Sequence, residues 1–262
     1  MIALESVVVA LGGRQVVDGV SFTAKPGALT AIIGPNGSGK TSTLKAISGE
    51  YRYRGRIALN GADLGSLSIA RQARMRAVLS QSIQLGFPFL VREVLEMGVV
   101  AGEVHSRLEA DRIVDAALAA VDLAGFGDRI STALSGGEQS RMHMARVLCQ
   151  IHNPVEQGEP RWLFLDEPVA SLDVKHQLAI MRTGRDFARR GGGVLAVMHD
   201  LNLTAMFADH VLMLKNGRLF AQGAPAEVFT EDMLEAVYGC RLAVHRDAQS
   251  GSLRIHPQEF AA

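Results

Sequence analysis

Cysteine is nearly absent from this sequence, with two in 262 residues, and aromatics make up only 5% of it. Cys149 and Cys240 lie far apart and fit no metal or redox spacing, which excludes a Cys-based metal site. Both are expected to behave as small buried hydrophobes in a reducing compartment. An excess of either charge is missing too: 27 Lys plus Arg balance 27 Asp plus Glu. No global field therefore favours DNA, RNA or anionic lipid. No uncharged apolar run approaches the ~20 residues needed to cross a bilayer. The start, Met1-Ile2-Ala3-Leu4-Glu5, lacks the basic, apolar and cleavage regions of a signal peptide. The expectation is a soluble cytoplasmic protein that reaches any membrane through partners. There is no internal repeat and no low-complexity segment, and the length suffices for one large domain or two small ones.

What is present is a glycine-rich turn, Gly34-Pro35-Asn36-Gly37-Ser38-Gly39-Lys40-Thr41, after the apolar run Ala28–Ile33. Gly34, Gly37 and Gly39 permit φ > 0 and a close backbone approach to a ligand. Successive N–H groups then form an anion nest, to which the following helix adds its positive end. Lys40 can reach β- and γ-phosphates, and the Thr41 hydroxyl can ligate Mg²⁺. This pattern predicts a nucleoside triphosphate site.

Along the chain, residues 2–9 and 16–24 read as strands joined by a Gly12-Gly13 turn, and Asn60-Gly61 marks a second turn. Short strands are expected at Gly55–Leu59 and Arg76–Leu79. From 91 to about 150 the spacing is helical, with Leu108, Ile113, Ala117 and Val121 on or near one face of the middle helix. Asn153–Arg161 reads as a surface loop. An apolar strand, Trp162–Asp166, precedes a helix at Val174–Ala188, a strand at Val194–Met198 and a short helix at Leu201–Phe207. Strands at Val211–Leu214 and Arg218–Gln222, a helical stretch from Glu227 to Tyr238, and an edge-strand tail complete the pattern.

Two further stretches carry chemistry. Asp166 closes a buried strand, where a carboxylate can hold a Mg²⁺ shell through water. Glu167 is expected to point the other way on extended backbone, free to polarise an attacking water. Leu134-Ser135-Gly136-Gly137-Glu138-Gln139 sets free backbone donors and a hydroxyl before a helix, suited to a γ-phosphate. The same Ser-x-x-Glu spacing is also a capping box, and both readings apply. Two phosphate-reading elements with a single lysine loop suggest a head-to-tail pair, each copy capping nucleotide held by the other.

In this order the motifs resemble the nucleotide-binding subunits of ABC transporters over nearly the whole chain. The match covers the phosphate loop Gly34–Thr41, Q-loop Gln81, signature Leu134–Gln139, Walker B Leu163–Asp166 with Glu167, D-loop Ser171-Leu172-Asp173, and switch histidine His199. The resemblance implies an α/β fold: a P-loop NTPase core with an antiparallel β subdomain and an inserted α-helical subdomain. It implies a single such domain over 1–262, helical at about 91–150 and with a polar tail at about 247–262. It implies ATP and Mg²⁺, with Lys40, Glu167 and His199 catalytic. Nucleotide contacts would come from Gly34, Pro35, Asn36, Gly37, Ser38, Gly39, Lys40, Thr41 and Ser42, and from Ser135, Gly136, Gly137 and Glu138. Thr41, Gln81 and Asp166 would hold the metal; Gln81 would also sense the membrane partner, and His199 would hold the γ-phosphate. By position alone His199 simply follows a buried strand, at the ligand-facing edge of an α/β sheet. One departure is that the family's adenine-stacking aromatic is replaced at or near Leu11. Stacking is worth ~1–3 kcal/mol, so adenine selectivity is expected to weaken.

His199-Asp200-Leu201-Asn202-Leu203 resembles the importers of iron chelates, haem and cobalamin. Ser48-Gly49-Glu50, Gln84–Phe89, Leu172–Gln177 and the long loop before Trp162 resemble the haem (hemin) import ATPases. The implied partners are a second copy, transmembrane permease subunits and, indirectly, a periplasmic haem-binding protein, at the cytoplasmic face of the inner membrane. An ATPase of this kind is not expected to touch haem, so no histidine is read as an iron ligand. Siderophore or cobalamin import is the alternative cargo. A soluble ABC ATPase acting on DNA or ribosomes would need a coiled-coil insertion, tandem domains or basic arms, and no nucleic-acid partner is expected. A nucleotide-holding regulator without turnover would sit poorly with Glu167 and His199.

Overall fold

The Gly12-Gly13 pair, at φ 55° and 81°, turns β1 (Ile2–Leu11) into β2 (Arg14–Ala24), with Ile2 opposite Ala24 and Leu11 opposite Arg14. Burial along β1 switches from even to odd positions, Ile2 and Leu4 and then Val7 and Val9. The switch falls at a bulge where Ser6 has φ 48°, since one extra residue flips every later side chain. The computed structural model describes residues 1–80, 86–170, 172–249 and 251–258. Gln81, Gln84, Leu85 and Ser171 therefore lie outside the described residues. The chain divides into two compact units, Met1–Gly65 with Leu195–Ala262, and Ser66–Val194.

In the first unit, β3 (Leu29–Ile33) is buried along its whole length and feeds the glycine loop and α1 (Lys40–Ile47). β4 (Arg54–Leu59) pairs antiparallel with β1, and the Asn60-Gly61 turn brings in β5 (Ala62–Asp63). Gly55 is dictated by the bulge: a Cβ there would sit 2.5 Å from the Ser6 carbonyl oxygen.

The second unit begins with α2 (Ile69–Met75), which the helical spacing did not announce; Ser68 caps it by accepting from the Arg71 N–H. β6 (Arg76–Leu79) follows, then α3 (Val91–Ala101), α4 (Arg107–Ala120) and α5 (Gly136–Gln150). The buried face of α4 is Val114, Ala117 and Leu118, with Val121 just beyond; Leu108 is 65% exposed. Leu108 and Ile113 thus leave the expected stripe, which starts only at Val114 and faces α3 and α5. The segment read as a loop contains a short hairpin, β7 (Val155–Glu156) and β8 (Glu159–Pro160). β9 (Trp162–Asp166) is fully buried and runs parallel to β6, with Leu79 beside Leu165. α6 (Val174–Arg189) closes the unit.

The chain returns through β10 (Gly193–Val197) and α7 (Leu201–Phe207), then β11 (His210–Lys215) and β12 (Arg218–Gly223). Within the first unit the strand order is β12-β11-β3-β10, and β11 lies parallel to β3. α8 (Pro225–Val228) and α9 (Glu231–Tyr238) split the single helical stretch expected there, because the Thr230 hydroxyl restarts the helix by accepting from the Met233 N–H. The tail forms a hairpin of β13 (Leu242–Arg246) and β14 (Leu253–Pro257). Asn202 on α7 clamps it, donating to the Ile255 carbonyl at 2.9 Å and accepting from its N–H at 2.8 Å. Cys149 is buried as expected, and burial pushes its thiol up to about 12. Cys240 is exposed, because it follows Gly239, the left-handed end of α9, rather than lying on a packed face. Among the described residues no helix is long and apolar enough to cross a membrane.

Helix packing in the second unit rests on Gly98 of α3, where a Cβ would overlap the Arg146 carbonyl of α5. Gly→Ala in an exposed helix gains about 1 kcal/mol of propensity. Overlap with fixed backbone costs about 1–3 kcal/mol, so at this position the loss outweighs the gain. Gly98→Ala is expected to lower the thermal unfolding midpoint by several degrees; an unchanged or higher midpoint would refute the close approach.

Candidate active site elements

The glycine loop is shaped by what lies behind it. Gly34, Gly37 and Gly39 have φ 145°, 77° and 99°, as the sequence predicted. At Gly34 a Cβ would overlap the Leu214 carbonyl oxygen of β11, and at Gly39 it would lie 2.6 Å from the Val16 carbonyl oxygen of β2. The Asn216-Gly217 turn locks the same place: the Gly217 N–H donates to the Ser38 carbonyl at 3.1 Å, and its own carbonyl accepts from the Asp18 N–H at 2.8 Å. Strands on two sides therefore hold the loop before any ligand arrives.

Lys40 is only 5% exposed, and its Nζ donates to the Gly34 and Pro35 carbonyls at 2.9 and 3.1 Å. The ammonium thus sits inside the loop that would wrap a phosphate. Thr43 Oγ1 donates to the Gly39 carbonyl at 2.8 Å, tying the first turn of α1 to the loop. Ser38 is 2% exposed, and its Oγ has no hydrogen-bond partner among the described residues. An unsatisfied buried hydroxyl costs about 1–3 kcal/mol; a phosphate oxygen in this nest fits it. Tyr238, at the end of α9, lies against the Gly34 backbone, and burial pushes its phenol up to about 12. Tyr238 could not be found from the sequence, since nothing local links the end of α9 to a loop two hundred residues earlier.

His199 belongs to the same unit. The Met198 N–H donates to the Ile32 carbonyl at 3.0 Å, so the ends of β10 and β3 run side by side. His199 leaves one strand as Gly34 leaves the other, and it is exposed. Asp200 then caps α7 by accepting from the Leu203 N–H at 2.9 Å. Leu11, at the end of β1, is 39% exposed, an apolar side chain at or near the place where the resembling family carries an aromatic.

The second unit holds the carboxylates. Asp166 ends β9 and is 3% exposed, a buried oxygen donor of the kind that suits Mg²⁺. Glu167 departs from the expected extended backbone: its φ is 51°, in the left-handed region that non-glycine residues seldom adopt. The cause is an immediate turn, in which the Ala170 N–H donates to the Glu167 carbonyl and the Leu172 N–H to that of Val169. Strain of this sort is concentrated at functional positions.

Ser135 is the N-cap of α5 and forms the full capping box. Its hydroxyl donates to Glu138 Oε2 at 2.7 Å, its N–H donates to the same oxygen at 2.8 Å, and it accepts from the Glu138 N–H at 3.3 Å. The Ser135 hydroxyl holds the Glu138 carboxyl below the usual carboxylate range. A Cβ at Gly136 would meet nothing within 4 Å, so that backbone faces open space. The capping-box reading of this stretch holds, while the Ser135 hydroxyl and N–H, expected as free donors, are both given to Glu138. Gln81 and Ser171 lie outside the described residues.

Known proteins are similar in sequence and in fold. A family profile described as ABC transporter matches residues 17–170. Hemin import ATP-binding protein HmuV of Mesorhizobium japonicum is 55% identical over 93% of both chains, and the protein of the same name from Rhizobium meliloti is 56% identical over 93% of both. Among solved structures, a bacterial Atm1-family ABC exporter with ATP bound is similar at TM-score 0.76 and 26% identity, covering 90% of this chain and 40% of that one. A dimeric bacterial ABC transporter cassette has the same fold, at TM-score 0.73 and 24% identity, over 86% of this chain and 99% of that one. With motifs, fold and sequence in agreement, this chain belongs to the ABC transporter family and is one of its ATP-hydrolysing, ATP-binding subunits.

Proposed function

We propose that this chain powers an importer whose cargo is hemin, working as a pair of copies beneath transmembrane permease subunits at the inner face of the membrane. The observation that carries the chemistry is the phosphate loop, closed by positive-φ glycines around a buried lysine. Support for the cargo comes from the relatives named as hemin import proteins, more than half identical along almost their full length. Support for a protein partner comes from exposed apolar side chains in the second unit: Ile69 is 86% exposed and Phe87 70%. Phe87 stacks edge-on against Phe89, 6.3 Å between centroids. Apolar side chains left in water are a feature of interaction surfaces when they gather into a patch.

In this reading the loop amides and Lys40 bind the triphosphate, with Ser38 and Ser42 beside it. Thr41, Gln81 and Asp166 would hold Mg²⁺, whose charge offsets that developing on the phosphate oxygens. Glu167 takes the proton of the attacking water, and His199 contacts the γ-phosphate. Ser135, Gly136, Gly137 and Glu138 cap nucleotide bound to the opposite copy, since the second unit has donors at a helix start and no lysine loop of its own. A periplasmic hemin-binding protein would deliver cargo on the far side.

A positioned general base contributes roughly 10²–10⁴-fold. Glu167→Gln is therefore expected to keep ATP affinity, lower turnover by at least about 10²-fold and accumulate an ATP-bound dimer; wild-type turnover would remove Glu167 from that role. Ser135→Arg should leave ATP binding by dilute protein intact yet abolish hydrolysis, and undiminished hydrolysis would refute the shared site. For the cargo, the chain coexpressed with its permease should show ATPase stimulation by hemin-loaded binding protein. Stimulation by ferric siderophore or cobalamin instead would reassign it.

A further inference from the structure

Asp122, in the turn after α4, belongs to none of the motifs. Its φ of 58° places it in the left-handed region, which Asp tolerates better than most side chains. That conformation turns its two ends toward two different helices. On the main-chain side, Arg141 Nη1 donates to the Asp122 carbonyl at 3.0 Å and to the Val121 carbonyl at 3.3 Å. Arg141 is 8% exposed and sits on α5, the helix that Ser135 caps.

On the side-chain side, Asp122 Oδ2 accepts from Lys175 Nζ at 3.0 Å, and His176 Nε2 and Arg141 Nη1 each lie 3.9 Å from the same oxygen. Lys175 holds the Asp122 carboxyl below the usual carboxylate range. Lys175 and His176 form the first turn of α6, whose cap is Asp173. Asp173 Oδ1 accepts from the His176 N–H at 2.9 Å and lies 2.8 Å from His176 Nδ1. The preceding residue, Leu172, reaches back toward the signature: a Cβ at Gly137 would sit 3.6 Å from Leu172 Cδ2. Gln177 Nε2 donates to the Leu172 carbonyl at 3.0 Å and fixes that loop from behind.

We propose that Asp122 is a positioning residue that clamps the start of α6, and with it the Leu172-Asp173 loop, to the helix bearing Ser135, so that both meet the opposite copy as one rigid lid. The clamp rests on the shared-site reading above. An exposed ion pair adds little to overall stability, so its effect lies in relative orientation. Its backbone half is partly buried against Arg141, while its carboxylate half is open to solvent and screened by salt.

The test uses the full chain with Glu167→Gln, measuring ATP-dependent dimerisation by sedimentation equilibrium. Asp122→Gly removes the carboxylate and suits the positive φ, and Asp122→Asn keeps the shape without the charge. Each dimer contains the clamp twice, so Asp122→Gly is expected to weaken dimerisation by about three- to tenfold. Asp122→Asn and Lys175→Ala should act in the same direction, and Asp122→Gly with Lys175→Ala should be no worse than Asp122→Gly alone. Thermal midpoint and the ATP affinity of dilute protein should not change. Full-strength dimerisation in these variants would overturn the clamp, as would independent, multiplying effects of Asp122→Gly and Lys175→Ala, or losses that track a falling midpoint. If Glu167→Gln alone forms no ATP dimer, the shared site fails first and the clamp falls with it.

Discussion

The close approach of strand backbones to the glycine loop is the constraint on which everything else depends. The Leu214 carbonyl lies where Gly34 would carry a Cβ, and the Val16 carbonyl lies where Gly39 would. Any larger residue would push the loop off β2 and β11, and the inward N–H groups would lose their common focus. A loop held this way is an anion nest whose geometry is set by the fold rather than by the ligand. Reorganisation at the moment of binding is then small, which is what phosphate chemistry requires, because positioning and charge compensation account for most of its catalysis.

The same economy appears at the second element. Ser135 and Glu138 satisfy the first turn of α5 internally, leaving the Gly136 backbone facing open space. The cap that stabilises the helix therefore uses its own donors internally and leaves the glycine after it open. Asp122 extends this logic, joining the capped helix to the start of α6 through one carbonyl and one carboxylate. Glu167 shows the opposite use of the backbone: a left-handed residue between a buried strand and a proline, a conformation that is costly for a residue with a side chain.

Features encoded within a few consecutive residues are legible in the sequence. The glycine loop, the Asp166 strand end, the Ser135 capping box and the Asn60-Gly61 turn each follow from local spacing, and each lies where that spacing puts it. Features set by contacts distant in sequence are not legible in this way. The Ser6 bulge is visible only once β4 brings Gly55 beside it. The face of α4 is chosen by its neighbours α3 and α5, so Leu108 is left in solvent despite its periodic position. Cys240 looks like a core residue by composition and is placed outside by the helix end before it. Tyr238 and Asp122 reach their partners across long stretches of chain, and no local pattern marks them.

In the proposed shared site, a cap carried on a different element from the lysine loop would make catalysis a property of two copies rather than one. The most direct measurement is hydrolysis per copy over a wide range of protein concentration, at saturating ATP and without permease. Activity per copy should rise with concentration and level off as pairs form. A constant rate per copy, maintained down to dilutions where sedimentation finds only single chains, would contradict the shared centre.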